Sequence, residues 1–196
     1  MKVLLAGLLG AGDSEVASKI SRGGETPVFN SHRAIRDLIR ERGETFQLFE
    51  TESSSGTYDL DVLLRNKAFE YMEMEDQYIV EGRLGLLVCD HEFDIKIFLT
   101  ANLEDRAKHV SKRRGIALQE AREVVEMSDK DRRYVFEKIN DKPLVPSEFD
   151  LTINTSDLSL ESTAEVIQCL LESMQRRPSP HSPHHGFSRT ALPLSA

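Results

Sequence analysis

The sequence predicts an α/β protein with a parallel sheet covered by helices on both faces. Short apolar runs alternate with longer amphipathic or charged segments over most of the chain. The chain has 196 residues, of which 39% are hydrophobic and 30% charged, so it can bury the core of one sizeable domain. There is no internal repeat that would indicate a solenoid or a propeller.

The predicted elements follow that alternation. Five apolar runs are predicted to be strands: 2–6, 27–30, 78–80, 94–100 and 149–154. Six segments have the spacing or composition of helices: 14–20, 31–42, 59–75, 103–114, 118–140 and 159–175. The polar, glycine-containing stretch TESSSGTYD, residues 51–59, separates the second unit from the third. Strands that alternate with helices in this way form parallel sheets.

The end of the chain has a different composition. The predicted domain covers residues 1–176, and residues 177–196 are rich in Pro, Ser and His, without helical or strand periodicity. We expect this tail to be disordered. Its three histidines, His181, His184 and His185, resemble a short metal-binding tract, but a solvated low-complexity tail is the favoured interpretation.

Charge and cysteine content exclude several classes of function. The net charge of −8 argues against nucleic acid or an anionic membrane as partner, and favours small molecules or proteins. Cys89 and Cys169 are too few for a disulfide framework, and each lies in an apolar run. We expect two buried, reduced thiols in a cytoplasmic protein, because no run is apolar enough to span a membrane.

One motif suggests a chemistry. The stretch GLLGAGDS, residues 7–14, fits the phosphate-binding pattern G-x-x-x-x-G-K-[ST] except that Asp13 takes the lysine position. Gly7, Gly10 and Gly12 allow backbone amides to surround a phosphate at a helix N-terminus. Ser14 stands where the pattern places its magnesium ligand. The alternative is a tight strand-to-helix turn in which Asp13 or Ser14 caps the helix.

The chain resembles the nucleoside monophosphate kinases of the cytidylate kinase type, in their compact archaeal branch, from Met1 to about Leu171. Six stretches carry the resemblance, in order and spacing: GLLGAGDSEVA, SHRAIRDLIRERG, YIVEGRL, DIKIFLTANLEDRAKHVSKRRGI, DKDRRYVFEKI and FDLTINTS. The resemblance implies a P-loop NTPase-like three-layer α/β/α fold with a small helical lid at about residues 106–134. It also implies transfer of the γ-phosphoryl group of ATP, with Mg²⁺, to a pyrimidine nucleoside monophosphate, CMP or dCMP.

The resemblance carries over to individual residues. It implies a nucleotide-binding loop made of Gly7, Leu8, Leu9, Gly10, Ala11, Gly12, Asp13, Ser14 and Glu15, with Ser14 as the metal ligand. The acceptor phosphate is expected at Arg36 and Arg83. The lid arginines expected at the transferring phosphate are Arg106, Arg113, Arg132 and Arg133. Several arginines suit phosphoryl transfer, because the reaction depends on charge neutralisation. Solvated helix faces with i,i+4 partners are the alternative explanation for the lid arginines.

Departures from the family pattern leave a second hypothesis open. A carboxylate about 4 Å from a phosphate opposes binding by about 4 kcal/mol at an effective dielectric of about 20. Asp13 therefore allows an impaired relative that keeps the fold as a nucleotide-responsive or partner-binding module. Compensation would come from magnesium, or from Asp13 turning outward as a helix cap. His32 and Leu84 also depart from the pattern and leave the acceptor base open.

Overall fold

The computed structural model describes residues 1–21, 24–56 and 59–176; the tail predicted to be disordered, 177–196, lies outside the described residues. Its five strands form one parallel sheet in the order β2-β3-β1-β4-β5. They are β1 (Lys2–Gly7), β2 (Val28–Phe29), β3 (Tyr78–Glu81), β4 (Ile95–Thr100) and β5 (Leu151–Asn154). The predicted parallel α/β architecture is confirmed.

Eight helices lie in the described ranges: α1 (Asp13–Ile20), α2 (Ser31–Arg42), α3 (Phe46–Ser54), α4 (Leu60–Met74), α5 (Gly82–Leu87), α6 (Leu103–Arg114), α7 (Leu118–Asn140) and α8 (Leu160–Gln175). Two of them were not predicted. The α3 helix runs into the stretch expected to be a connection, and buries only Phe49. In α5 every residue but Arg83 is buried, so no amphipathic period marks the helix in the sequence.

The central strand β1 separates two cores. Val3 and Leu5 pack on one face with residues of α1 and α8, such as Ile167. Leu4 and Ala6 pack on the other face, where Phe136 of α7 joins them. Successive strand residues point to opposite faces, so this alternation builds three layers. The carboxyl ends of β1, β3 and β4 meet at one edge, where open parallel sheets bind ligands.

The predicted lid falls on α6 and α7, which pack together through a small apolar cluster of Val110, Ala121 and Val125. Gly115 ends α6 with a positive φ of 67°, which lets the chain turn into α7. The two helices lie over the carboxyl edge of the sheet. Val135 and Phe136 of α7 also pack into the hydrophobic core beside the sheet.

The two cysteines have different environments. Cys89 is buried, as expected, and burial raises the pKa of its thiol to about 11. The expectation for Cys169 is wrong, because Cys169 is exposed on α8. The buried face of that helix is formed by Thr163, Ala164 and Ile167, and a residue two positions further lies off that face. Within the described ranges no helix is long and apolar enough to cross a membrane.

Candidate active site

The glycine loop, residues 7–14, joins β1 to α1 and requires its glycines. Gly10 and Gly12 have φ values of 88° and 98°, in the left-handed region that glycine tolerates. A Cβ at Gly10 would lie 2.7 Å from the carbonyl oxygen of Arg106, so a larger residue would collide with α6 backbone. The loop is therefore fitted closely to the helix pair above it.

Four carbonyl groups of the loop are hydrogen bonded to other segments. Gly7 O accepts from Arg132 Nη1 at 2.7 Å, and Leu9 O accepts from Arg106 Nη1 at 3.3 Å. Gly10 O lies 3.1 Å from His109 Nδ1, and Ala11 O accepts from Thr155 Oγ1 at 3.0 Å. In the described structure the amides of Gly10, Gly12 and Ser14 have no acceptor. Free amides at a helix N-terminus are suited to an anion.

Asp13 is the first residue of α1 and is only 8% exposed. The alternative in which Asp13 or Ser14 caps the helix does not occur, because Gly12 is the N-cap and no side-chain capping bond forms. The Asp13 carboxylate instead points toward the β3–α5 junction, where its Oδ2 lies 3.0 Å from the position a Cβ would take on Gly82. Burial raises the pKa of Asp13, and the positive charge of Arg132 opposes that rise.

Glu81, at the end of β3, lies beside Asp13 and Ser14. Ser14 Oγ lies 3.1 and 3.2 Å from the two Glu81 carboxylate oxygens and donates to them. Glu81 is 4% exposed, and burial together with the Asp13 charge raises the pKa of Glu81 to about 7, against hydrogen bonds from Ser14 and Asn30. We call Asp13, Ser14 and Glu81 the carboxylate cluster.

A cleft of about 1210 Å³ opens above this cluster. The predicted site residues that line it are Leu9, Asp13, Ser14, Glu15, Arg83, Arg113 and Arg132. Asn30, Ser31 and His32, at the start of α2, also line the cleft. The structure thus brings the loop, one predicted acceptor arginine and two predicted lid arginines around one cavity.

Arg83 and Arg132 reach the cleft from different elements. Arg83 donates to Asp61 Oδ1 of α4 at 2.8 Å and also pairs with Asp131 of α7. Neither aspartate was identified from the sequence, and no local spacing connects either of them to Arg83. Arg132 is buried and its Nε donates to Ser128 Oγ at 3.3 Å. Together these contacts connect α4, the β3–α5 junction, α7 and the glycine loop.

Arg106 lies between the loop and α7, outside the cleft, contrary to the expectation that it reaches the transferring phosphate together with Arg113. Arg106 is 4% exposed, and its Nη1 and Nη2 each donate to an Asp129 carboxylate oxygen at 2.8 Å. Its Nε donates to Ala101 O at 2.9 Å. Arg113, two helical turns later, lines the cleft with Nη1 4.0 Å from Glu15 Oε1.

Sequence reasoning also missed Asp129. Asp129 is buried on the inner side of α7, together with Val125, Arg132 and Phe136. These residues follow the 3–4 spacing of one helix face. Two charged residues on a face that is otherwise apolar were the signal in the sequence that could have identified Asp129. Buried charges on such a face are usually paired.

Two predicted arginines lie elsewhere. Arg36 on α2 and Arg133 on α7 are exposed and do not line the cleft. Neither has an ion pair or a hydrogen bond in the described part of the chain. For Arg133 this agrees with a solvated helix face.

The glycine loop between the first strand and the first helix, with arginine-bearing helices above it at the carboxyl edge of a parallel sheet, defines a P-loop nucleotide kinase. The chain belongs to the cytidylate kinase-like family, whose model matches residues 3–157. Cytidylate kinase from Methanopyrus kandleri is 27% identical over 91% of this chain and 96% of its own. Cytidylate kinase from Pyrobaculum aerophilum is 30% identical over 84% and 89%. The predicted membership among nucleoside monophosphate kinases is confirmed.

Solved structures agree on the fold. Shikimate kinase from Bacteroides thetaiotaomicron has a TM-score of 0.58 and 17% identity, over 87% of this chain and 97% of its own. Deoxyadenosine kinase from M. mycoides, solved with bound dATP, has a TM-score of 0.52 and 14% identity, over 88% and 100%. The predicted P-loop NTPase-like fold is confirmed.

Proposed function

We propose that this protein transfers the γ-phosphoryl group of ATP to CMP or dCMP. The observation that carries the proposal is the convergence of Arg83, Arg113 and Arg132 with the unpaired amides of the glycine loop around one cleft. Phosphoryl transfer requires little covalent chemistry and depends on positioning and charge neutralisation. The relatives named cytidylate kinase supply the choice of acceptor.

The donor phosphates occupy the glycine loop. The amides of Gly10, Gly12 and Ser14 donate to phosphate oxygens, and the positive N-terminal end of α1 adds to the attraction. Arg113, next to Glu15 at the cleft, lies on α6 where it can contact the donor phosphates. Arg132, hydrogen bonded to Gly7 O, holds its charge beside the loop.

The acceptor phosphate binds at Arg83. Asp61 and Asp131 hold the guanidinium at the cleft, and the remaining donors form a planar surface suited to a phosphate. Arg36 would join the acceptor site if α2 moves toward the cleft on binding, since Arg36 lies outside it here. The start of α2, with His32, forms the wall against which the base would lie.

The helix pair α6–α7 acts as the lid. Arg106 is a positioning residue in this assignment, because it joins α6 to Asp129 of α7 and to the carbonyl of Leu9 in the loop. Movement of α6 and α7 over bound substrates would exclude water and bring further positive charge to the phosphates. Arg133 would contribute only in such a closed state, since it is exposed here.

The residues present fit a Mg²⁺ ion. Ser14 Oγ and the buried carboxylates of Asp13 and Glu81 are hard oxygen donors grouped at the loop. When bound with ATP, Mg²⁺ supplies positive charge that neutralises the β- and γ-phosphate oxygens. Ser14 is the ligand that we assign to it.

The test is a direct assay of product. The full chain is incubated with ATP, Mg²⁺ and CMP, dCMP, UMP or AMP, and the diphosphates are separated by chromatography. We expect CDP or dCDP to form fastest, and Arg132→Met to reduce turnover while the protein remains folded. ATP binding without any diphosphate formed would contradict the proposal and favour an impaired relative.

A further inference from the structure

The carboxylate cluster has fewer positive charges around it than negative ones. Asp13 and Glu81 are both buried, and Arg132 is the guanidinium that acts on both, whereas Arg113 acts on Asp13 alone and lies 4.0 Å from the Glu15 carboxylate. Arg83 pairs with Asp61 and Asp131 and not with the cluster. The cluster therefore has an excess of negative charge at the point where the donor phosphates are expected.

Asp13 is the unpaired member. Its carboxylate accepts a hydrogen bond from its own backbone amide but makes no ion pair and no hydrogen bond to another residue within the described ranges, although it is more than nine-tenths buried. It points toward Gly82, and its charge acts on Glu81. A buried carboxylate without a charged partner is unfavourable unless a proton or a cation neutralises it.

We propose that Asp13 and Glu81, with the Ser14 hydroxyl, bind a divalent cation of the Mg²⁺ type in the nucleotide-free protein. Mg²⁺ usually retains several waters and needs one or two carboxylates, so this three-oxygen set suffices. A divalent cation bound to both carboxylates neutralises the cluster, so that the Arg132 guanidinium leaves one positive charge beside the loop, as the lysine does in the usual pattern. The cation thus removes the repulsion between Asp13 and a donor phosphate.

The role toward ATP rests on the function proposed above, whereas cation binding by the free protein does not. The test therefore uses nucleotide-free full-length protein and Mn²⁺, whose paramagnetic resonance reports free and bound metal. We expect one saturable Mn²⁺ site per chain, from which excess Mg²⁺ displaces the probe. Glu15→Gln removes an acid from the same cleft outside the cluster, and is the charge-matched control.

Asp13→Asn and Glu81→Gln keep the side-chain shape and remove a ligand charge. Loss of an outer partner already weakens metal affinity by about 10–100-fold, so each variant should weaken Mn²⁺ binding by at least about 100-fold. Glu15→Gln should weaken Mn²⁺ binding by less than about tenfold, because Glu15 acts on the cluster only through space and not as a ligand. Circular dichroism melts of every variant separate lost binding from lost fold. If one variant fails to fold, the other still tests the site.

Two results would overturn the inference: no saturable Mn²⁺ site in the wild-type protein at millimolar metal, or equal Mn²⁺ affinity in the wild type and Asp13→Asn. Turnover with CMP is measured separately. Mn²⁺ binding that depends on Asp13, in a protein that makes no CDP, would overturn the proposed function and leave the cation site standing.

Discussion

Two buried charge clusters lie beside the glycine loop, and they differ in the balance of positive and negative charge. Between the loop and α7, Arg106 and Asp129 form a bidentate pair at 2.8 Å, and the other Arg106 donors reach backbone carbonyls. In the cleft, Asp13 and Glu81 share one nearby guanidinium, Arg132, which lies outside ion-pair distance of both.

The difference in charge balance distinguishes a structural cluster from a functional one. A balanced pair satisfies its own charges, so Arg106 and Asp129 hold the loop, α6 and α7 together without a ligand. An unbalanced cluster is costly to the folded protein alone and becomes favourable when a ligand supplies the missing charge. By this criterion the Arg106–Asp129 pair supports the loop structurally, and the carboxylate cluster in the cleft is a ligand-binding site.

The largest effect is expected from breaking the balanced pair. Arg106→Met leaves the Asp129 carboxylate buried without a partner, and should reduce the free energy of unfolding by about 3–5 kcal/mol. Urea denaturation followed by circular dichroism measures the change. Arg122→Met is the control, because Arg122 pairs with Glu104 and Glu126 at the surface and should contribute less than about 1 kcal/mol. Equal losses in both variants would show that Arg106 is not the support described above.

The next effect comes from correcting the unbalanced cluster. Asp13→Lys removes a like charge beside the donor phosphates, a repulsion of about 4 kcal/mol at 4 Å and a dielectric of about 20. In EDTA the variant should therefore bind ATP up to about a thousandfold more tightly than the wild type. In excess Mg²⁺ the difference should fall to about tenfold or less, because the cation neutralises the carboxylate cluster of the wild type. Calorimetric titration measures the ATP affinity under both conditions. If the difference in affinity between Asp13→Lys and the wild type does not depend on Mg²⁺, Asp13 does not bind the cation.

A smaller effect concerns pH in the absence of divalent cations. The folded protein keeps a proton on Glu81 up to about pH 7, whereas the unfolded chain releases it near the ordinary pKa of 4.5. The free energy of unfolding should therefore fall as pH rises from about 4.5 to about 7, by on the order of 3 kcal/mol. Glu81→Gln should flatten this slope in urea denaturation curves measured in EDTA. An unchanged slope in the variant would assign the pH dependence to other groups.

The sequence predicts the fold better than it predicts the balance of the clusters. Strands and most helices depend on local periodicity, so β4 and α2 lie within a residue or two of their predicted bounds. The partners of the arginines depend on distant segments: Arg106 meets Asp129, and Arg132 meets the carbonyl of Gly7 across 125 positions. Helical spacing places Arg106 and Arg113 on one side of α6, but only the tertiary contacts decide which of them is buried between the loop and α7.

The smallest effect compares the two arginines expected to hold the acceptor phosphate. Arg83 lies in the cleft and Arg36 outside it, so Arg83→Ala should lower kcat/KM for CMP by well over about tenfold, and Arg36→Ala by less. Arg83→Ala should change the free energy of unfolding by no more than about 1 kcal/mol, because its partners Asp61 and Asp131 are partly exposed and can be solvated.

Arg40→Ala is the control, because Arg40 is an exposed residue of α2 paired with Asp37, and the substitution should leave the kinetics unchanged. Steady-state assays with varied CMP at saturating ATP measure the effect. An equal loss in Arg36→Ala would show that α2 closes onto the acceptor, and a loss of stability without a kinetic effect in Arg83→Ala would make Arg83 a structural bridge between α4 and α7.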